Sequence, residues 1–298
     1  MWIVNNRKIF YGISIILVAA SIVAISVWRV QPGIDFTGGT LIEVAYPASR
    51  PAQSDILPAL SAVDPAVSVR PSGTDEYFVR MKAVDQTEKA AVMSALSVNG
   101  SASTTVKSFD SIGPVLGAEA LRKAYVSILL VILGIVIYIT FAFRKVSKPV
   151  SSWKYGLIAV TSLVHDVVIP IGAFSILGHL YGYEVDTLFV TALLVILGFS
   201  VHNTIVVFDR VRENLRLSGD REEFTAIVGK SIAQTFTRSM NTSATVLIAL
   251  IVLYILGGET TAHFTLALII GIVAGTFSSV FIGSPLLVTI ERWQKKGK

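Results

Sequence analysis

The residues with the chemistry to move a proton are few, and they lie in oily surroundings. His165 and Asp166 stand together near the middle of an apolar run, roughly ten residues from either end, or about 15 Å deep at the rise of a helix. An ionisable group at that depth costs on the order of a few kcal/mol, so it implies proton or ion handling; a structural hydrogen bond to a neighbouring helix is the plainer alternative. Pro170 follows Asp166 by one helical turn, where its ring clashes with the Asp166 carbonyl and frees a backbone acceptor. His202 and Asn203 sit about two turns before Asp209, which with Arg210, Arg212, Glu213 and Asn214 gives another run a charged, interfacial end. Arg238 lies among Gln234, Thr235, Thr237, Ser239, Asn241, Thr242 and Ser243. That stretch either lines a hydrated path or lets the guanidinium snorkel to the headgroups.

These groups do not compose an enzyme site. Adjacent residues such as His165 and Asp166 point about 100° apart on a helix and do not face one target. No phosphate loop or HExxH pattern occurs, and the absence of cysteine excludes disulfides, thiolate metal sites and cysteine nucleophiles. No cofactor and no metal are expected.

The elements that must position these residues are membrane spans. Hydrophobic residues make up 53% of the 298 and charged residues 15%, and the mean hydropathy is +0.68, too oily for a soluble domain with a charged surface. A span takes roughly 20 apolar residues to cross about 30 Å of hydrocarbon. Six runs qualify: Ile9 to Val27, Ala124 to Phe143, Tyr155 to Leu177, Thr187 to Phe208, Asn241 to Leu256 with a polar lead-in from Ser231, and Phe264 to Ile290. The first follows Asn5-Asn6-Arg7-Lys8 and has a weak cleavage-like Ala24-Ile25-Ser26, but it is long for a signal peptide and reads as a retained helix. Gly271 and Gly275 form a small-xxx-small pair for close helix contact.

Net charge is +5 and the pI about 9.4, yet the basic residues flank the spans instead of forming a patch with aromatics, so nucleic acid is not expected as a partner. Arg7 and Lys8; Arg144, Lys145, Lys148 and Lys154; Arg210, Arg212, Arg216, Arg221 and Lys230; and Arg292, Lys295, Lys296 and Lys298 fall on alternate loops. The connections Gly178 to Asp186 and Gly257 to His263 hold no Lys or Arg. Both termini are therefore expected in the cytoplasm and the long stretch after the first span outside. Arg122 and Lys123 fall on the outer side, where the rule is weak for a long translocated domain. The expected organisation is residues 1–28, a first transmembrane helix; 29–121, an extracytoplasmic domain; and 122–298, a bundle of five further transmembrane helices.

The outside domain alternates in register. Thr40 to Tyr46 reads as a strand, Ser54 to Val63 as a helix with a Ser cap, Ala66 to Arg70 as a strand, Glu76 to Val84 as a strand, Gln86 to Val98 as a helix with Glu88 early, and Thr104 to Phe109 as a strand. The order βαββαβ is that of a ferredoxin-like α+β sandwich, a fold that identifies no function by itself. Asp75 and Glu76, beside a Ser-Gly turn, read as a solvated hairpin flank and not as paired acids. The domain has no histidine, which argues against a metal or Ser/His site.

Gly33-Ile34-Asp35-Phe36-Thr37-Gly38-Gly39-Thr40 resembles the opening of the outside domain in the SecF family, membrane subunits of bacterial protein export. So do SIGPVLGAEALRKA, HDVVIPIGAFSILG, GFSVHNTIVVFDRVREN, SIAQTFTRSMNTSATVLIALIVLYILGG and ALIIGIVAGTFSSVFIGSPLL, in order over nearly the whole chain. The resemblance implies an inner-membrane subunit that pairs with SecD to complete a twelve-helix, RND-like core. It would work beside the SecYEG channel, often with YajC, using the proton-motive force to draw secreted protein chains to the outer side. One position departs from the family: where its fourth span usually carries a carboxylate, paired with the Arg that matches Arg238, this chain has Asn203. An amide cannot load a proton, so the resemblance leaves the partner's carboxylate, with Asp166, His165 or His202 as local relays. Sodium in place of the proton stays open. Two other readings stand beside this one, half of an RND-type small-molecule or lipid exporter and a passive scaffold for SecD. Against the exporter, the chain has one small outside domain and no evident large apolar pocket lining.

Overall fold

The computed structural model describes residues 2–144, 150–219 and 221–296, so Lys145, Lys148 and Lys298 of the charge pattern lie outside the described residues, as does the side chain of Lys296. The element order is α1 (Trp2–Asn5), α2 (Arg7–Trp28), α3 (Ile34–Thr37), β1 (Gly39–Ala45), α4 (Gln53–Ser61), β2 (Ser68–Ser72), β3 (Glu76–Met81), α5 (Gln86–Leu96), β4 (Thr105–Ile112), α6 (Pro114–Ala142), α7 (Ser152–Tyr181), α8 (Thr187–Ser218), α9 (Phe224–Leu256), α10 (Glu259–Phe277), a π-helical turn (Ser278–Gly283) and α11 (Ser284–Lys296). Two compact units result: Pro32–Tyr125, and Met1–Gln31 with Val126–Lys298.

Six helical stretches among the described residues are long and apolar enough to cross a membrane: α2, α6, α7, α8, α9 and the continuous last span through the π-turn. Each covers one of the six apolar runs, with α6 ending one residue short of Phe143, and elsewhere the helices outrun them. The fourth continues to Ser218 through the charged Asp209–Arg216 stretch, and the fifth starts at Phe224, far ahead of Asn241. Hydropathy registers the part that suits lipid, whereas backbone hydrogen bonding carries a helix on into the polar interface. Burial sorts the spans into two groups. Half of the most apolar stretch of α7 and α8 and 61% of that of the last span are buried, against 17% for α2 and α9 and 6% for α6. The first three therefore form the middle of the bundle. Missing side chains permit the closest approaches: a Cβ at Gly271 would collide with Ile196 of α8, and one at Gly172 of α7 with Ser21 of α2. α7 ends at Gly182, whose φ of 74° is left-handed, and α8 opens on Asp186, which accepts from Phe189 N at 2.7 Å.

In the Pro32–Tyr125 unit the element order βαββαβ is present, and the sheet order is β2-β3-β1-β4 with every neighbouring pair antiparallel. α4 thus joins two strands with β3 between them, and α5 joins two with β1 between them, a split βαβ arrangement. Ile42, Val44, Tyr77, Val79 and Met81 turn inward at alternate positions to meet Ile56, Leu60, Val92 and Leu96 of the helices. The expected Ser cap of α4 is corrected: Ala52 occupies the cap position without a side-chain bond, Ser54 lies inside the helix, and Gln53 Nε2 ties the first turn to Val69 O at 3.1 Å. α5 does have a capping box, with Asp85 accepting from Thr87 N and Glu88 N at 2.8 Å and Glu88 reaching back to Asp85 N. The Thr87 side-chain bond, with the backbone bonds beside it, holds the Asp85 carboxyl below its usual range. Glu76 forms an ion pair with Lys107, which raises the lysine's pKa, so it is a strand-pairing residue and not half of an acid pair.

The entrance to this unit is a turn that only glycine fits. Gly38 and Gly39 have φ of 72° and 130°, values that a side chain disfavours. A Cβ on Gly38 would lie 2.7 Å from the Pro114 Cα, and one on Gly39 would lie 2.9 Å from the Met81 carbonyl oxygen.

Candidate functional site

Three elements of the bundle converge on one carboxylate. Asp166 of α7 is wholly buried and its neighbour His165 is 5% exposed. The Asp166 Oδ1 lies 2.8 Å from His165 Nδ1, and Oδ2 accepts from Ser278 Oγ of the π-turn at 2.8 Å and from Ser200 Oγ of α8. More hydroxyls stand behind these. Thr204 and Ser279 share a hydrogen bond of 3.0 Å, Ser279 Oγ donates to Gly275 O at 2.8 Å, and Ser284 Oγ reaches Ser279 O at 2.9 Å across the turn.

The local sequence explains the convergence. Gly275 lets the last span close on α8, since a Cβ there would sit 3.1 Å from Ser200 Cβ and 3.5 Å from Asp166 Oδ2. The π-turn adds one residue per turn and places Ser278 and Ser279 together against α7 and α8. Phe277 stacks on the His165 ring with centroids 6.3 Å apart. A buried carboxylate is tolerable only when donors surround it, and hydroxyls and an imidazole can each turn from donor to acceptor. The set can therefore hold the group with or without its proton. Asp166 is also the only Asp or Glu in any of the six apolar runs.

The remaining candidates lie elsewhere. His202 on α8 and Arg238 on α9 are exposed, and the Arg238 guanidinium has no hydrogen bond or ion pair among the described residues. Thr237, Asn241, Thr242 and Thr245 are exposed with it, a polar face on the part of α9 that precedes its apolar end. Asn203 is 2% exposed and its Nδ2 has no partner among the described residues. The structure thus joins His165 to Asp166 and leaves Arg238 unbonded to Asn203. The charged end of α8 is tied to α9 by Arg210 Nε to Gln234 Oε1 at 2.7 Å and by Asn214 Nδ2 to Ser231 Oγ at 2.8 Å. Among the described residues no group of His, Asp and Glu could hold a metal ion.

Sequence reasoning missed Ser200, Ser278 and the hydroxyls around them. Single serines are ordinary in membrane helices, and only the run Ser278-Ser279 beside two glycines carried a signal.

A central triplet of helices around a buried, multiply bonded carboxylate, with a polar face left on an outer helix and a small α/β unit inserted after the first span, is the build of a polytopic membrane protein. Comparison with known proteins gives the family. The model for the C-terminal region of the protein export membrane proteins SecD and SecF matches residues 92–293, and that for the SecD/SecF GG motif matches residues 29–46. Proteins named protein translocase subunit SecF are similar over most of their length: that of Thermobaculum terrenum is 42% identical across 99% of this chain and 94% of its own, and that of Anaerolinea thermophila is 35% identical across 99% and 97%. The crystal structure of SecDF, a translocon-associated membrane protein from Thermus thermophilus, superposes with a TM-score of 0.83 at 27% identity over 97% of this chain. This chain spans 38% of that one. A super-membrane-facing form of SecDF gives 0.69 over 98% of this chain at the same 27% identity. The chain belongs to the SecD/SecF family of protein export membrane proteins, transport components and not enzymes. Gly38 and Gly39 fall within its GG motif, and the positive φ values and backbone contacts above are the physical reason for two glycines there.

Proposed function

We propose that this chain is the SecF-type subunit of a translocase accessory complex in the inner membrane, and that it couples protein export to the proton-motive force through Asp166. The observation that carries the coupling is the wholly buried Asp166 carboxylate, held by groups from three elements, each able to reverse its hydrogen bond. Its partner is a SecD-type subunit, which covers the exposed polar face of α9 and brings a carboxylate of its own to Arg238. That pairing replaces the one Asn203 cannot make. SecYEG, YajC and the secreted chains are the wider surroundings, and a second unit of six spans completes an RND-like core. The Pro32–Tyr125 unit lies on the outer side, both termini in the cytoplasm, and the moving chain is handled outside. Gradient-stimulated export into proteoliposomes holding this chain, its SecD-type partner and the channel tests the coupling. Asp166→Asn abolishes the stimulation while leaving ATP-driven export. If Asp166, His202 and Arg238 can all be replaced with stimulation intact, coupling does not reside in this chain.

A scaffold role is favoured by one observation, the amide at Asn203 in place of a titratable group. Asn203→Asp separates the readings: gain of gradient dependence supports the scaffold for the present sequence, and no gain leaves coupling with Asp166.

A further inference from the structure

The proton that reaches Asp166 needs a route through a bundle in which no other Asp or Glu lies within the apolar runs. Two of the buried atoms without a partner belong to the helix that carries Asp166, within one turn of it. Ser162 Oγ, in a residue 1% exposed, and His165 Nε2, in one 5% exposed, have no hydrogen-bond partner among the described residues. They lie one turn apart on the same face of α7. Across from them the π-turn ends in Gly283, where a Cβ would come 3.0 Å from Ser162 Oγ. The only glycine of that turn thus faces the orphan hydroxyl. Buried polar atoms go unpaired rarely, and two of them one turn apart on one helix face are where an ordered water would find partners.

We propose that Ser162, His165 and Gly283 form a water-fed proton inlet to Asp166, wholly inside this subunit, with the His165 imidazole as the carrier. It rests on the reading above that Asp166 takes up a proton. A hydrated proton binds at Nε2, giving the imidazolium; the Nδ1 proton then passes along the 2.8 Å contact to Oδ1 of Asp166. The imidazole is left protonated at Nε2, the carboxyl is neutral, and one proton has been gained. The groups facing the pair from the packed elements are uncharged: Ser200 from α8, Ser278 from the π-turn and the Phe277 ring from α10. From α2, residues 9 to 28 contain no Asp, Glu, Lys, Arg or His. No neighbouring charge on these elements competes for the proton.

His165→Asn discriminates this from a structural role, because an Asn amide can still donate to Asp166 where Nδ1 did but has nothing at the Nε2 position. The full chain with its partner in lipid is taken through a fast drop in pH and followed by infrared spectroscopy, using the protonated-carboxyl band that is lost in Asp166→Asn. The expected result is a band of unchanged final amplitude that rises at least about a hundredfold more slowly in His165→Asn, the lower end of what a positioned acid or base contributes. Ser162→Ala, which removes a hydroxyl and risks little folding, and Gly283→Ala, which presses a methyl group against Ser162 Oγ, slow it as well, by about tenfold. An unchanged rise in His165→Asn, or in both Ser162→Ala and Gly283→Ala should the first variant not fold, overturns the inlet and leaves the Asp166 reading standing. No Asp166-dependent band in the unsubstituted chain overturns both. A slowed band together with gradient-stimulated export that survives Asp166→Asn supports the inlet and removes the coupling.

Discussion

Asp166 and Asn203 are both buried on central helices, and what separates them is the company they keep. The carboxylate has a donor on each side, so replacing it with Leu leaves the Ser200 hydroxyl without its acceptor, at about 1–3 kcal/mol, while Ser278 Oγ falls back on Gly275 O. Asp166→Leu is therefore expected to lower the midpoint of detergent-solubilised unfolding, whereas Asp166→Asn keeps an acceptor and moves it less. Asn203→Asp places a carboxyl where the described residues offer the Nδ2 position no partner, so it is expected to lower the same midpoint without adding gradient dependence to export. The sequence showed which groups were anomalous, because His165 and Asp166 break an apolar run. It did not show that the anomaly is resolved by serines from two distant helices, since serine carries no hydropathic mark. At Asp85 the effect is pH-dependent and of known sign. Its folded carboxyl is held below the usual range, so the capping contribution is present at neutral pH and is lost as pH falls through that depressed value. Hydrogen exchange in the intact chain should show the Gln86–Leu96 amides less protected in Asp85→Ala at neutral pH, with the difference from the unsubstituted chain vanishing in acid.

Among the elements, contacts between helices rest on absent side chains. Gly172→Val and Gly271→Val drive a branched side chain into Ser21 and Ile196, and overpacking of that kind costs about 1–3 kcal/mol. The first is expected to loosen α2 from α7, read as faster proteolysis near Trp28, and the second to loosen α10 from α8. Gly38→Ala adds strain at a left-handed φ to a clash with backbone, so it is expected to be more harmful than either, and Gly73→Ala, which meets nothing within 4 Å, to be the milder control despite its own φ of 53°. The helices were legible as six apolar runs and the soluble unit as alternating strands, because burial imposes those periods. Their ends were not, at Phe224, Pro114 and Ser218, because hydrogen-bonded helix continues where hydropathy has already fallen. The π-turn was not legible in the hydrophobic pattern, since Ser278, Ser279 and Gly283 already interrupt the apolar run and one inserted residue shifts no clear face.

For the whole molecule, the alternation of basic loops predicts that tags on both termini are accessible only from the cytoplasmic side of sealed vesicles and that the Pro32–Tyr125 unit is cleaved only from the other. Opposite faces for the two ends would break the proposed topology. The exposed α9 face bears on supply as well as on mechanism. On the proposed pairing, a copy of this chain made in excess of its partner leaves the Arg238 cation and a row of amides and hydroxyls uncovered, with a cost on the order of a few kcal/mol if the cation is held among acyl chains. On that pairing the surplus is expected to be degraded faster, read as a shorter half-life when the chain is expressed without its partner, so that the working stock follows the scarcer of the two polypeptides. Joining both into one translated product would make that dosage equal by construction.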